Sequence, residues 1–165
     1  MRKENFKYPD KKAHDFVVNT LAKHDVSIDD LAKIAYEMDK PFIPTLTIDE
    51  CVDSVKKILW RRDILDNAMI MIDLDRLAEN NQLSEPLNSI ICADAGIFSA
   101  DEELAINIAN SGGSIGVANF GYFDRVKTGK AKQIDEDPNH VNTFLDDLVT
   151  ALASAACARL SHHNS

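Results

Sequence analysis

The strongest chemical signal in this sequence is a pair of adjacent carboxylates, Asp146 and Asp147. They follow Thr143 in a pattern typical of a helix N-terminal capping box. The helix that they open, from Phe144 to Ala158, is apolar on nearly every side and therefore belongs in the middle of a bundle. Burial of two unpaired carboxylates is costly, and a hard divalent cation such as Mg²⁺ would offset that cost. The pattern therefore favours a metal site over capping alone.

A second acidic pair, Asp101 and Glu102, stands at another predicted helix start, after Ser99. Capping explains this pair equally well on its own, because acidic side chains stabilise the N-terminal end of the helix dipole. Our hypothesis is that it gathers with Asp146 and Asp147 at one end of the central helix, where the four carboxylates bind Mg²⁺.

The one long polar segment of the chain, residues 125–139, lies between the two acidic pairs and is expected to be a loop. Four basic residues lie close together in it: Arg125, Lys127, Lys130 and Lys132. Such a cluster suits a phosphate or an anionic head group, although a solvated loop explains it as well. Asp124, just before the segment, is a candidate metal ligand or base, and His140 is a weaker acid–base candidate.

The run from Ile70 to Asp75 superficially matches the strand and Asp-x-Asp motif of haloacid-dehalogenase-type phosphatases. Those enzymes need a parallel sheet, whereas Asp75 is followed by a segment that continues a helical pattern. We expect a helix here and reject that chemistry. The sequence also lacks a serine–histidine pairing and a phosphate-binding Walker loop, so metal-assisted hydrolysis is the simplest class of reaction.

The elements that must position these groups are all predicted to be helices. Apolar residues recur at helical spacing almost everywhere, and no sustained period-2 alternation occurs. The predicted helices start near the following residues, in chain order: Ala13, Ser27 or Asp29, Thr47, Arg61, Ser84, Ser99, Ser114 and Thr143. We predict an all-α, single-domain bundle over residues 1–165, with the apolar C-terminal helix at its centre and the other helices around it.

Composition narrows the possible partners. The chain has 27 acidic and 18 basic residues and a formal net charge of −9, which argues against nucleic-acid binding. The three cysteines are odd in number and far apart, which argues against a disulfide framework and a zinc site. No apolar stretch is long enough to span a bilayer, so we expect a cytoplasmic protein whose membrane contact is at most peripheral. A homo-oligomer is possible, but no surface for it is evident.

Three segments of the second half, taken in order, resemble the phosphatidylglycerophosphatase A family, in particular its soluble branch in Gram-positive bacteria. Ser99–Leu104 is similar to the family's apolar-Asp-Glu segment. Asn119–Lys127 is similar to its Phe-Arg-x-x-Asp-x-x-Lys-Pro segment, with Gly121 in place of the arginine and Thr128 in place of the proline. Phe144–Val149 is similar to its apolar-Asp-Asp-apolar segment. The resemblance covers about residues 83–160, and the family's N-terminal Pro-Gly-Thr-x-Gly-Ser segment has no counterpart here.

The resemblance implies Mg²⁺-dependent hydrolysis of phosphatidylglycerophosphate to phosphatidylglycerol and phosphate. The predicted metal ligands are Asp101, Glu102, Asp146 and Asp147. The predicted catalytic residues are Asp124 and Lys127, and the predicted phosphate contacts are Arg125 and Lys130. Two alternatives stay open: an all-helical Mg²⁺-dependent nucleotide pyrophosphohydrolase, and a non-catalytic helical binding protein that keeps the family fold.

Overall fold

The described part of the chain, residues 6–94 and 99–163 of a computed structural model, contains helices and connecting turns but no strands. The helices, in chain order, are α1 (Asp10–Lys23), α2 (Ile28–Asp39), α3 (Ile48–Ile58), α4 (Arg62–Glu79), α5 (Leu87–Cys92), α6 (Ala100–Ala109), α7 (Ser114–Val126), α8 (Gly129–Asp135) and α9 (Leu145–His163). A 3₁₀ turn over Asn110–Gly112 joins α6 to α7. The predicted all-α class is confirmed. Within these ranges, no helix combines the length and the apolar character needed to cross a bilayer.

Helix α9 is the centre of the molecule. It packs against six other helices, namely α2, α3, α4, α6, α7 and α8. Residues 143–158 are all buried, as expected for a helix that is apolar on nearly every side. The predicted central position of the C-terminal helix is therefore confirmed.

Small residues let the neighbouring chain approach α9 closely. A Cβ atom added to Gly112 would lie 2.4 Å from the Cβ of Ala158. One added to Gly116, in the first turn of α7, would lie 2.1 Å from the carbonyl oxygen of Ala109. Since either distance is far below a van der Waals contact, glycine is required for α6, α7 and α9 to pack as they do.

Local capping signals are confirmed at two of the predicted helix starts. The Ser27 hydroxyl accepts a hydrogen bond from the backbone N–H of Asp30 at 3.1 Å, and Thr47 accepts one from Glu50 at 3.4 Å. Both form complete capping boxes at the starts of α2 and α3.

Two other predicted caps are wrong. Ser99 makes no side-chain capping bond, and its backbone (φ −112°, ψ −5°) lacks the extended conformation of an N-cap residue. The Thr143 hydroxyl instead donates to the carbonyl oxygen of Ile91 at 2.7 Å. The start of α9 is capped from another helix, because the Asp75 carboxylate of α4 accepts hydrogen bonds from the backbone N–H groups of Phe144 and Leu145.

The expectation of one long loop over residues 125–139 is also wrong. Helix α8 occupies the middle of this segment and packs against α2 and α9. Ala131 and Ile134 are buried, and this i,i+3 pair gives the short helix one apolar face. Tertiary burial stabilises a helix of seven residues that would not form alone in water.

Candidate functional site

The chain gathers one lysine and four carboxylates at the N-terminal end of α9. Lys127 follows the last residue of α7, and its ammonium contacts Asp146 directly. The ammonium also donates to Oδ1 of Asp135 in α8 at 2.9 Å. It lies 3.7 Å from Oδ1 of Asp147 and 3.8 Å from Oδ1 of Asp124. The Lys127 cluster, as we call these five residues, therefore joins the end of α7, α8 and the start of α9.

Burial controls the electrostatics of the acidic pair. Asp146 and Asp147 are each only 4% exposed. Burial raises the pKa of Asp146 to about 6, although the Lys127 ammonium acts in the opposite direction. Burial also raises the pKa of Asp147 far above its ordinary value, and repulsion by Asp146 and contact with Asp124 add to the effect. Burial and the charge of Asp146 thus favour the protonated form of Asp147, whereas the Lys127 ammonium favours the ionised form of Asp146.

Lys127 stays charged in this environment. Burial alone lowers the pKa of its ammonium, but the charge and hydrogen bond of Asp146, with Asp135 and Asp147, outweigh burial and raise the pKa. Its side chain is 21% exposed, so the ammonium is partly open to solvent. A partly exposed cation over buried carboxylates is suited to contact an anionic group that approaches from outside.

Asp75 lies beside the site, although its sequence context predicts no role there. Its oxygens accept from the N–H of Phe144 at 3.1 Å and from the N–H of Leu145 at 2.9 Å. Burial raises the pKa of Asp75 to about 8, the two backbone hydrogen bonds lower it, and the charge of Asp146 raises it. One signal was available: Asp75 shares the buried face of α4 with Ile72, three residues before it.

Asp101 and Glu102 have different environments at the start of α6. Asp101 is 8% exposed, and its Oδ1 is a buried oxygen with no hydrogen-bond partner among the described residues. Burial raises the pKa of Asp101, with smaller effects from Glu102 and Asp94. Burial also raises the pKa of Asp94, and the charge of Lys127 acts in the opposite direction. Glu102 is exposed.

The two predicted phosphate contacts lie outside the Lys127 cluster. Arg125 is exposed in the last turn of α7. Lys130 lines a polar cavity with His24 and His140. The structure thus brings Asp124, Lys127, Asp146 and Asp147 together and places Lys130 elsewhere.

The carboxylate oxygens of the site are donor atoms of the type that binds a divalent cation. Within residues 6–94 and 99–163, no group of three or more His, Cys, Asp or Glu side chains is arranged so that it could hold a metal ion. The carboxylates surround Lys127 instead. Oδ1 of Asp124, like Oδ1 of Asp101, is nevertheless buried without a hydrogen-bond partner in the described part of the chain. Carboxylate oxygens are among the ligands that Mg²⁺ prefers.

Comparison with known proteins relates this arrangement to a family. The family description for phosphatidylglycerophosphatase A matches residues 38–162, which include the whole Lys127 cluster. The chain is 38% identical to the uncharacterized protein YpjQ of Bacillus subtilis over 156 residues, 94% of this chain and 88% of YpjQ. It is 41% identical to the uncharacterized protein YutG of the same organism over 138 residues, 83% of each chain.

Solved structures give the same relationship. The crystal structure of YpjQ superposes with a TM-score of 0.90, covering 95% of this chain and 98% of that one at 38% identity. The low temperature requirement C protein of Listeria monocytogenes superposes with a TM-score of 0.88 at 38% identity, covering 92% and 96% of the two chains. On the family match, the sequence identities and these superpositions, the chain belongs to the phosphatidylglycerophosphatase A family.

Proposed function

We propose that this protein is a Mg²⁺-dependent phosphatase that hydrolyses phosphatidylglycerophosphate to phosphatidylglycerol and phosphate in phospholipid synthesis. Family membership supports a phosphatase of this kind. The observation that carries the proposal is the partly exposed Lys127 ammonium above the buried Asp146-Asp147 pair. The reaction would take place at the cytoplasmic face of the membrane, which the protein would contact peripherally.

Under this proposal, Asp146 and Asp147, with Asp101 and Glu102 from the start of α6, would hold Mg²⁺, and these side chains would have to turn from their present positions to do so. The bound ion would neutralise charge on the phosphate and lower the pKa of a water molecule. Asp124, whose buried Oδ1 makes no hydrogen bond among the described residues and lies 3.8 Å from the Lys127 ammonium, would orient the attacking water and accept its proton.

Cationic side chains would act on the phosphate itself. The Lys127 ammonium would donate to a phosphoryl oxygen and stabilise the charge that develops there. Asp135 and Asp146, which it contacts, hold the ammonium at the site. Arg125, exposed two residues earlier, would contact the phosphate from outside, and Lys130 would contact a more distant part of the substrate.

The test is phosphate release from phosphatidylglycerophosphate by purified protein, with Mg²⁺ and with a chelator. Asp146→Asn is compared with Asp53→Asn, a matched change at an exposed aspartate of α3 that pairs with Lys57 at 2.6 Å. We expect Mg²⁺-dependent release that falls at least 100-fold in Asp146→Asn and is unchanged in Asp53→Asn.

The other outcomes would contradict the proposal and separate its alternatives. Mg²⁺-dependent hydrolysis of nucleoside triphosphates, with no release from the lipid, would indicate a nucleotide pyrophosphohydrolase. No hydrolysis of either substrate and no shift of the thermal midpoint by Mg²⁺ would indicate a non-catalytic binding protein, because a ligand that binds only the folded state must stabilise it.

A further inference from the structure

Lys127 is the cation on which the carboxylates of the candidate site converge. Its ammonium contacts Asp146 directly and lies 3.7 Å from Oδ1 of Asp147 and 3.8 Å from Oδ1 of Asp124. These three aspartates belong to two helices, α7 and α9, and their oxygens surround one nitrogen atom. An ion that contacted the same three carboxylates would therefore need the space that this ammonium occupies.

One ammonium does not satisfy the carboxylates around it. Among the described residues, Lys127 is the only cationic side chain within 4.0 Å of any of the four carboxylates in the Lys127 cluster. It donates hydrogen bonds to Asp146 and Asp135, and Oδ1 of Asp124 is left buried without one. A divalent cation carries twice the charge and accepts six or more oxygen ligands, so it suits this set of acceptors better than an ammonium does.

Asp135 offers the ammonium a position nearer to solvent. It accepts the hydrogen bond from Lys127 at 2.9 Å, and its side chain is 39% exposed, whereas Asp146 and Asp147 are buried. Lysine carries its charge on a flexible four-carbon stem. The ammonium can therefore leave the buried pair by rotation of the stem and stay within reach of Asp135.

The backbone at Lys127 also has the character of a movable point. Its dihedral angles, φ 20° and ψ 118°, form a combination that non-glycine residues rarely adopt. Such conformations persist where the surroundings hold them, and they are concentrated at sites that change conformation. The contacts of the ammonium with α8 and α9 help to hold this residue, so release of the ammonium would let the backbone relax.

We propose that Lys127 is a displaceable occupant of the cation site, and that a divalent cation binds only when the ammonium moves away from Asp146 and Asp147 towards Asp135. The inference rests on the Mg²⁺ site of the proposed function. It adds a consequence for that function, because an ammonium released from the buried pair becomes available to a phosphate group. Lys127 thus limits cation affinity as well as contacting the substrate.

The first measurement is the binding of Mg²⁺ alone, without substrate, by isothermal titration calorimetry. Lys127→Met should bind Mg²⁺ at least tenfold more tightly than the unchanged protein, because no ammonium competes for the carboxylates. Lys132→Met removes the same charge from an exposed position 3.7 Å from Glu136 and should change the affinity less than twofold. The comparison therefore separates competition at the site from a change of net charge.

A second measurement follows the position of the ammonium, because repulsion by a lysine that did not move would also weaken Mg²⁺ binding. The NMR signal of a lysine ammonium is resolved while hydrogen bonds protect its protons from exchange with water. In the unchanged protein, we expect the Lys127 signal to disappear in proportion to bound Mg²⁺. The Lys40 ammonium, which donates to the carbonyl oxygens of Pro44 and Leu46 at 2.9 and 3.0 Å, should keep its signal.

Two results would overturn the inference. One is equal Mg²⁺ affinity in the unchanged protein and Lys127→Met, or no binding by either. The other is a Lys127 ammonium signal that persists at saturating Mg²⁺, which would show that lysine and cation occupy the site together. Tighter binding by Lys127→Met, with no hydrolysis of phosphatidylglycerophosphate by the unchanged protein, would contradict the proposed function and support the displacement. Mg²⁺-dependent hydrolysis with equal affinities would do the reverse.

Discussion

At the residue scale, Lys127 combines a role in stability with a role in the proposed reaction. Its ammonium compensates the carboxylates of Asp146 and Asp147, which are only 4% exposed and would otherwise be destabilised by their own charge. Under the proposed function, it also supplies the cation that contacts the phosphate. A residue with both roles is expected to affect stability and activity together, and the two effects have to be measured separately.

Lys127→Met should therefore lower the free energy of unfolding, because it removes the charge partner and keeps the apolar stem. We expect a loss of about 1–3 kcal/mol at pH 8, below the full cost of breaking a wholly buried pair because Lys127 is 21% exposed. The loss should shrink near pH 5, below the pKa of about 6 of Asp146, where the carboxylates are protonated. Urea unfolding at the two pH values measures both effects.

The control for this change is Lys132→Met. Lys132 is exposed and lies 3.7 Å from Glu136, so its loss should change the free energy of unfolding by no more than about 0.5 kcal/mol. Equal effects of the two substitutions, or a loss in Lys127→Met that grows as the pH falls, would contradict the electrostatic account of the Lys127 cluster.

Asp75 gives a pH-dependent prediction with a defined sign. Its pKa is about 8 in the folded protein and about 4 in an unfolded chain, so the folded state binds the proton more tightly between these values. The stability that protonated Asp75 contributes is fully present below about pH 4 and is lost as the pH rises through about 8. Asp75 contributes at most about 1.4 kcal/mol per pH unit to the slope of the free energy of unfolding against pH.

Asp75→Asn should flatten that slope, because the amide does not titrate and its oxygen can still accept from one N–H group at the start of α9. Urea unfolding at pH 5.5, 6.5 and 7.5 compares the variant with the unchanged protein. Asp63→Asn, at an exposed aspartate of the same helix, should leave the slope above pH 5 unchanged, since the hydrogen bond from Arg61 lowers the pKa of Asp63. An unchanged slope in Asp75→Asn would show that Asp75 does not take up a proton in this range.

At the element scale, a helix cap can be predicted from the sequence where both of its partners lie close together in the chain. Ser27 and Thr47 cap their helices through bonds that span three residues, and the sequence shows both partners side by side. The cap of α9 comes from Asp75, 69 residues before Phe144. Nothing in the local pattern around Thr143 reveals it.

The residues of the candidate site show the same difference between those that local patterns predict and one that depends on distant packing. Asp146, Asp147, Asp124 and Lys127 were predicted from adjacent carboxylates, a nearby basic segment and a family resemblance, and the structure brings them together. The local pattern does not point to Asp135, because the polar segment that contains it predicts a loop. Helix α8 places it against Lys127, and that helix depends on the burial of Ala131 and Ile134 by distant parts of the chain.

The contrast between Thr47 and Ser99 can be tested directly. Thr47→Ala should lower the free energy of unfolding by about 1 kcal/mol, because it leaves the first backbone donors of α3 without their acceptor. Ser99→Ala should change it by less than about 0.5 kcal/mol, since Ser99 makes no capping bond. Chemical denaturation of both variants provides the measurement, and a larger loss in Ser99→Ala would show that Ser99 caps α6 in solution.

Two glycines of α7 should respond in opposite directions to the same substitution. Gly116→Ala should cost more than about 2 kcal/mol, because its Cβ would lie 2.1 Å from the carbonyl oxygen of Ala109. Gly121→Ala should raise the free energy of unfolding by about 0.5–1 kcal/mol. Among the described residues, no atom outside its own stretch of helix would lie within 4 Å of the added Cβ, and alanine favours the helix. Thermal and urea unfolding of the pair provides the test, and equal signs would contradict the packing described for α7.

At the scale of the whole molecule, one buried helix organises both the fold and the candidate site. In the described part of the chain, six helices pack closely against α9, and residues 143–158 are buried throughout. The same arrangement brings α7, α8 and Asp75 of α4 to the N-terminal end of α9. The packing that stabilises the core therefore also stabilises the end of α9 that carries Asp146 and Asp147.

Hydrogen exchange should show this hierarchy. We expect the amides of α9 from Leu148 to Ala158 to exchange only through global unfolding, because their helix is enclosed by its neighbours. The amides of α5 and α8 should exchange earlier through local opening, since these helices have only six and seven residues and lie at the periphery. In Lys127→Met, exchange of α9 should accelerate by the factor that corresponds to the loss of global stability, about tenfold for each 1.4 kcal/mol, while α5 should not change. Peptide-resolved mass spectrometry under native conditions measures all three helices at once, and exchange of α9 as early as that of α8 would show that α9 is not the stable centre of the molecule.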